Sequence, residues 1–175
     1  RDGRDDVTMH YNGDRSKAGL LQRTGKQSDG LLTDGSTRRE ECGVDAISAL
    51  TPYFVTLSAR ELEEHYRRVA DSTSLPVLLY GNPDRTGNRL GVGTVERLAA
   101  VDNIAGIQDS SGDMTLLAEY VRCAPDGFAV LAGRDTLIYG ALAYGAAGSI
   151  AATANVAPAL VAAIYNRYRA GDLSG

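Results

Sequence analysis

Lysine is nearly absent from this chain: of 18 basic residues only Lys17 and Lys26 are lysines, and both lie within the first 42 positions. From Gly43 onward every cation is an arginine or His65. A guanidinium does not give up its proton near neutral pH to become an amine nucleophile. The later part of the chain therefore has no side chain able to trap a carbonyl as an imine. Cysteine is scarce too. Cys42 and Cys123 lack metal-ligand spacing and make no disulfide framework, so a reduced, cytoplasmic setting is expected, with no metal and no other cofactor. No apolar run is long enough to span a membrane, and no stretch has the pattern of a signal peptide. The net charge of −4 leaves no electrostatic footprint for nucleic acid or a membrane surface. No Gly-x-Gly-x-x-Gly opens a helix, which weighs against a dinucleotide-binding sheet.

What is present divides near Cys42. Residues 1–42 are rich in Gly, Asp, Arg, Ser and Thr, with apolar residues in scattered pairs such as Leu20-Leu21 and Leu31-Leu32. No strand or helix period is sustained there. A terminal tail and an incompletely represented early part of a fold both fit this segment. The sequence begins at Arg1 rather than Met, so its true start is expected upstream.

From Gly43 to Gly175 the rhythm is regular. Strands are expected over Val44–Leu50, Pro76–Tyr80, Ile104–Gln108, Phe128–Ala132 and Gly148–Thr153. Helices are expected between and after them. Ser58 and Glu61 form a capping box before a helix whose buried face carries Leu62, Tyr66 and Val69, with His65 facing solvent. Thr94 is the expected cap of a second helix, and a third starts near Asp113. A fourth covers about Leu137–Tyr144, and Pro158 suits the first turn of a last one. Strands apolar throughout belong to a parallel sheet buried on both faces. Five such strand–helix units fit an open doubly wound sheet or the later part of a (β/α)8 TIM barrel. The barrel is favoured because Thr51, Tyr80, Gln108, Arg134-Asp135, Thr153 and Asn155 gather at strand C-terminal ends, where a barrel carries its active face. A whole barrel needs about 250 residues, so some early units and a segment beyond Gly175 are expected to be missing.

Five motifs follow one another in order and spacing: Thr51-Pro-Tyr53, Tyr80-Gly-Asn-Pro-Asp-Arg-Thr-Gly87, Gly106-Ile-Gln-Asp-Ser-Ser-Gly112, Leu131-Ala-Gly-Arg-Asp135 and Ser149-Ile-Ala-Ala-Thr-Ala-Asn155. Over residues 43–175 the chain resembles the dihydrodipicolinate synthase/N-acetylneuraminate lyase family of pyruvate-dependent class I aldolases. The resemblance implies a barrel lyase acting on 2-oxo (sugar) acids, with pyruvate as the small-molecule partner and a homotetramer as the assembly. Tyr80 matches the family's proton-relaying tyrosine. Gln108 falls on the Schiff-base lysine. Arg85 matches an arginine that receives a substrate carboxylate in the synthase branch, and Gly133 and Ile150 match positions in the pocket wall. Thr37, in Gly35-Ser36-Thr37, is the candidate for the loop that holds the pyruvate carboxylate, although Arg38 follows where that loop has glycine. Phe54 occupies a position that is commonly tyrosine in the synthase branch. That change and Asp109-Ser-Ser-Gly-Asp113 favour the sugar-acid lyases and dehydratases.

Each residue also has a plainer reading. Tyr80 alone fits a buried strand-end tyrosine with a satisfied hydroxyl, but Pro83, Arg85 and Gly87 behind it favour function. Arg85 could be a surface cation, Gly133 a turn glycine, and Asp109 a polar loop residue. His10, Lys17 and Lys26 have no partner pattern. The amide nitrogen of Gln108 has a delocalised lone pair and cannot form an imine, though it can donate hydrogen bonds to a carbonyl. Covalent aldolase catalysis is therefore not expected. An active lyase lineage that lost its lysine, a non-catalytic relative that binds 2-oxo acids or supports an assembly, and a barrel running a non-imine reaction all remain open.

Overall fold

A computed structural model describes residues 7–9, 20–24 and 45–173. Seven strands form one sheet in chain order: β1 (Val7–Met9), β2 (Leu20–Thr24), β3 (Ala46–Leu50), β4 (Val77–Gly81), β5 (Ile104–Asp109), β6 (Ala129–Ala132) and β7 (Gly148–Ser149). β1 pairs antiparallel with β2, and every later pair is parallel. Two strands thus lie in the segment 1–42, where the sequence shows no sustained period. Three residues in β1 and five in β2 are too few to establish one. Thr37, Cys42, Lys17, Lys26 and His10 lie outside the described residues.

Parallel neighbours need a crossover, and from β3 onward helices supply them. These are α1 (Ala59–Asp71), the short α2 (Pro83–Thr86), α3 (Val92–Leu98), α4 (Met114–Cys123), α5 (Ile138–Ala143) and α6 (Pro158–Ala170). The capping box of α1 forms as expected: Ser58 Oγ accepts from the Glu61 amide, and Glu61 Oε2 accepts from the Ser58 amide at 2.8 Å. Asp113 caps α4 by accepting from the Leu116 amide at 3.1 Å. Pro158 opens α6. Three local expectations are corrected. Gly91, not Thr94, is the N-cap of α3; Thr94 is buried one turn inside with Val95 and Leu98. His65 is buried rather than solvent-facing, because it follows Leu62 by three positions and so shares its helix face. The strand expected over Gly148–Thr153 stops at Ser149, and Ala152–Asn155 forms a 3-10 turn.

Alternation along the strands sorts the core into two faces. Ala49, Val77, Leu79, Ile104, Ile107, Val130 and Ala132 pack outward against Leu62, Tyr66 and Val69 of α1, Val95 and Leu98 of α3, and Leu117 and Tyr120 of α4. The other face holds a separate cluster in which Leu78 of β4 meets Ile150, with Ala46, Ala105 and Leu131 against them. β4 and β7 stand three strand spacings apart, roughly 14 Å in a flat sheet. Leu78 and Ile150 share a cluster because the sheet curls with this face inward. Gly106 permits one tight passage in that curl: a Cβ there would lie 2.3 Å from the Ala129 carbonyl oxygen.

Candidate functional site

The C-terminal ends of β3 to β7 converge on one rim. The pairing register sets Leu50, Tyr80, Gln108 and Leu131 side by side across β3, β4, β5 and β6, with Gly148 beyond them. Residues so paired in a parallel sheet share a face. They continue the inward cluster of Leu78, Leu131 and Ile150. Tyr80 and Gln108 are thus neighbours on adjacent strands, about 4.8 Å apart along the hydrogen-bonding direction.

Gln108 is 1 % exposed, and neither its Nε2 nor its Oε1 has a hydrogen-bond partner among the described residues. Ser48 Oγ, one layer deeper on the same face of β3, is buried and unpartnered among them as well. A buried polar group left without a partner costs about 1–3 kcal/mol. Native folds leave few such groups, so each calls for an explanation.

Tyr80 is held differently. Its Oη accepts an N–H from Asn82 Nδ2 at 3.1 Å. Asn82, which sequence reasoning passed over, lies just beyond β4 and joins the candidate rim through this hydrogen bond. Thr51 is fully buried beside them and donates to Thr86 Oγ1 at 2.8 Å, joining the end of β3 to α2.

Asp109 is no loop residue. It is the last residue of β5, and alternation turns it outward, away from Gln108. Its carboxylate accepts from the Ser111 amide and hydroxyl, both at 3.0 Å. Burial raises its pKa above the ordinary carboxylate value, and the two Ser111 hydrogen bonds pull the other way. Asp109 therefore shapes the loop after β5.

The remaining predicted positions frame the rim. Gly133 follows β6, and its amide donates to the Asp109 carbonyl at 2.7 Å. Ile150 is buried on the inward face and donates from its amide to the Ala132 carbonyl at 2.8 Å. Arg85 lies exposed on α2, five residues past Tyr80, and its guanidinium has no partner among the described residues. Arg134, by contrast, is engaged: Nε donates to the Ser110 carbonyl at 2.9 Å and Nη2 to the Asp84 carboxylate. It thus ties the loops after β4, β5 and β6 together. Asp135 ties the next pair, accepting from the amides of Ala152 and Thr153 at 3.1 and 2.8 Å and from the Thr153 hydroxyl. Phe54, after β3, has φ 71° and is 89 % exposed, with its ring 5.2 Å from that of Tyr53. Among the described residues no group of three His, Cys, Asp or Glu side chains could hold a metal ion. No helix among them is long and apolar enough to cross a membrane.

The profile of the dihydrodipicolinate synthetase family matches residues 12–175. The chain belongs to that family. A DapA-like lyase of uncharacterised function from Halobacterium salinarum is 42 % identical over 130 residues, which is 74 % of this chain and 42 % of the relative. A 4-hydroxy-tetrahydrodipicolinate synthase from Archaeoglobus fulgidus is 34 % identical over 165 residues, 94 % of this chain and 57 % of the relative. Among solved structures, YagE of Escherichia coli K12, a prophage protein of the dihydrodipicolinic acid synthase family in complex with pyruvate, superimposes with a TM-score of 0.86 at 30 % identity. The match covers 90 % of this chain and 54 % of YagE. The chain spans about half the length of the dihydrodipicolinate synthetase relatives it matches. The strand–helix units of residues 46–170 are those of a (β/α)8 barrel in this lyase family.

Proposed function

We propose that the rim formed by β4 to β7 is a 2-oxo-acid pocket of the pyruvate-dependent lyases, and that it binds its ligand without a covalent bond. The observation that carries this reading is the buried, unpartnered amide of Gln108 beside Tyr80 on the inward face. In a lyase of this type an amine in a dry pocket attacks the ketone carbon, and the protonated imine then acts as an electron sink. Gln108 has similar reach and no nucleophilic nitrogen. Tyr80, positioned by Asn82, is the group that would donate to or accept from a ligand oxygen. Arg85, whose guanidinium has no partner among the described residues, is the candidate to receive a carboxylate. Gly133 and Ile150 form the wall, and Thr37 is the candidate on the carboxylate loop. Phe54 carries no hydroxyl to lend to a proton relay, which supports a sugar-acid type of ligand over the substrates of dipicolinate synthesis. Assembly into a homo-oligomer, with exposed Phe54 near a subunit contact, belongs to the same proposal.

The test is borohydride trapping with pyruvate, read by intact mass, on the protein and on Gln108→Lys side by side. An adduct on Gln108→Lys alone is expected. An adduct on the unsubstituted protein would sink the non-covalent reading. Silence from both, with pyruvate failing to bind either, would remove the pocket assignment.

A further inference from the structure

A lysine at the end of β5 would present one kind of group to a ligand. Gln108 presents two. Its amide has a donor, Nε2, and an acceptor, Oε1, both buried and both without partners among the described residues. Turning the amide over exchanges the two and changes nothing in this argument. The register places Gln108 between Tyr80 and Leu131, on the face that also carries the apolar cluster of Leu78, Leu131 and Ile150 and the hydroxyl of Ser48. A ligand in direct contact with the Gln108 amide satisfies both of its ends only if it brings a donor and an acceptor.

A 2-oxo acid cannot do so. Its ketone oxygen only accepts, so Nε2 would be satisfied and Oε1 would stay orphaned in a dry pocket. A hydroxyl on the same carbon both donates and accepts, and meets both ends of the amide. A 2-oxo acid achieves this only as its gem-diol hydrate, and its apparent affinity then falls by the fraction hydrated. We propose that the pocket selects 2-hydroxy acids over the corresponding 2-oxo acids, with Gln108 as the specificity-determining residue. The inference rests on the assignment of this rim as an oxo-acid-type pocket. It adds the oxidation level at the carbon facing β5. The magnitude follows from the orphaned acceptor: leaving one buried polar group unpaired weakens binding by about tenfold or more.

Calorimetric titration of the protein with L-lactate, D-lactate and pyruvate tests this. One lactate enantiomer should bind at least about tenfold more tightly than pyruvate. 2-Methoxypropionate, whose ether oxygen accepts but cannot donate, should bind no better than pyruvate, and this comparison needs no variant. In Gln108→Met, an apolar replacement of similar length, the preference should fall to near unity. Pyruvate binding as tightly as either lactate would overturn the selectivity and leave the oxo-acid reading standing. A preference surviving in Gln108→Met, or 2-methoxypropionate matching lactate, would overturn the role of the amide. Failure of all these ligands to bind would overturn the selectivity and the pocket together.

Discussion

Gly133 and Ser110 approach so closely that a Cβ on Gly133 would lie 1.9 Å from Ser110 Oγ. The same Cβ would be 2.9 Å from the Asp109 carbonyl oxygen, which accepts the Gly133 amide hydrogen bond. The end of β6 is thereby pressed against the end of β5, directly beside Gln108. The glycine is a condition of the rim's geometry, whatever its role toward a ligand.

Gly133→Ala should destabilise the protein by about 1–3 kcal/mol through overpacking, read from the urea midpoint at constant m-value. Gly106→Ala should cost more, because the atom it meets, the Ala129 carbonyl oxygen at 2.3 Å, is backbone and cannot rotate away. Equal midpoints for the two variants would contradict this ordering.

Ser58→Ala removes one half of the capping box on α1 and should lower stability by about 1 kcal/mol. Glu61 is held below its ordinary pKa chiefly by the Ser58 side chain and then by the Ser58 amide. A depressed carboxylate contributes stability that is present above its unfolded pKa and lost as pH falls through the folded one. The penalty of Ser58→Ala should therefore shrink in acid, which denaturation at pH 7 and pH 3 would show.

Asp109 has the opposite sign. Burial raises its pKa above 3.8, so the folded state holds this proton when the unfolded state has released it. Its contribution is greatest below the unfolded pKa and is lost as pH rises through the folded one. Asp109→Asn keeps a carbonyl to accept from the Ser111 amide and has no such titration. Relative to the unsubstituted protein, its stability should improve as pH rises through that window and then level off. A difference that does not change with pH would refute the assignment.

Asp135→Ala should release the turn after β7, since the carboxylate accepts the amides of Ala152 and Thr153. Hydrogen exchange at those two amides should speed up by about ten- to a hundredfold, as expected for the loss of a charge-assisted hydrogen bond. The core strands β4 and β5 should be unaffected.

The parts of this protein legible in its sequence are those governed by local chemistry. The apolar runs at Val77–Gly81 and Ile104–Asp109, the box of Ser58 and Glu61, the cap at Asp113 and Pro158 at the start of a helix need only their near neighbours. Family membership is legible as well, because it rests on ordered motifs. So is the chemistry of Gln108 itself, since an amide lacks a nucleophilic nitrogen wherever it is placed. Other features depended on contacts between distant segments. Asp135, captured across 17 and 18 residues by two backbone amides, ends β7 at Ser149 in place of a longer strand. His65 is buried because β-strands and α3 pack over its helix face. The most consequential decision was also tertiary. The curl of the sheet, which only the assembled strands can make, buried the Gln108 amide beside Tyr80 and left both its ends without partners among the described residues.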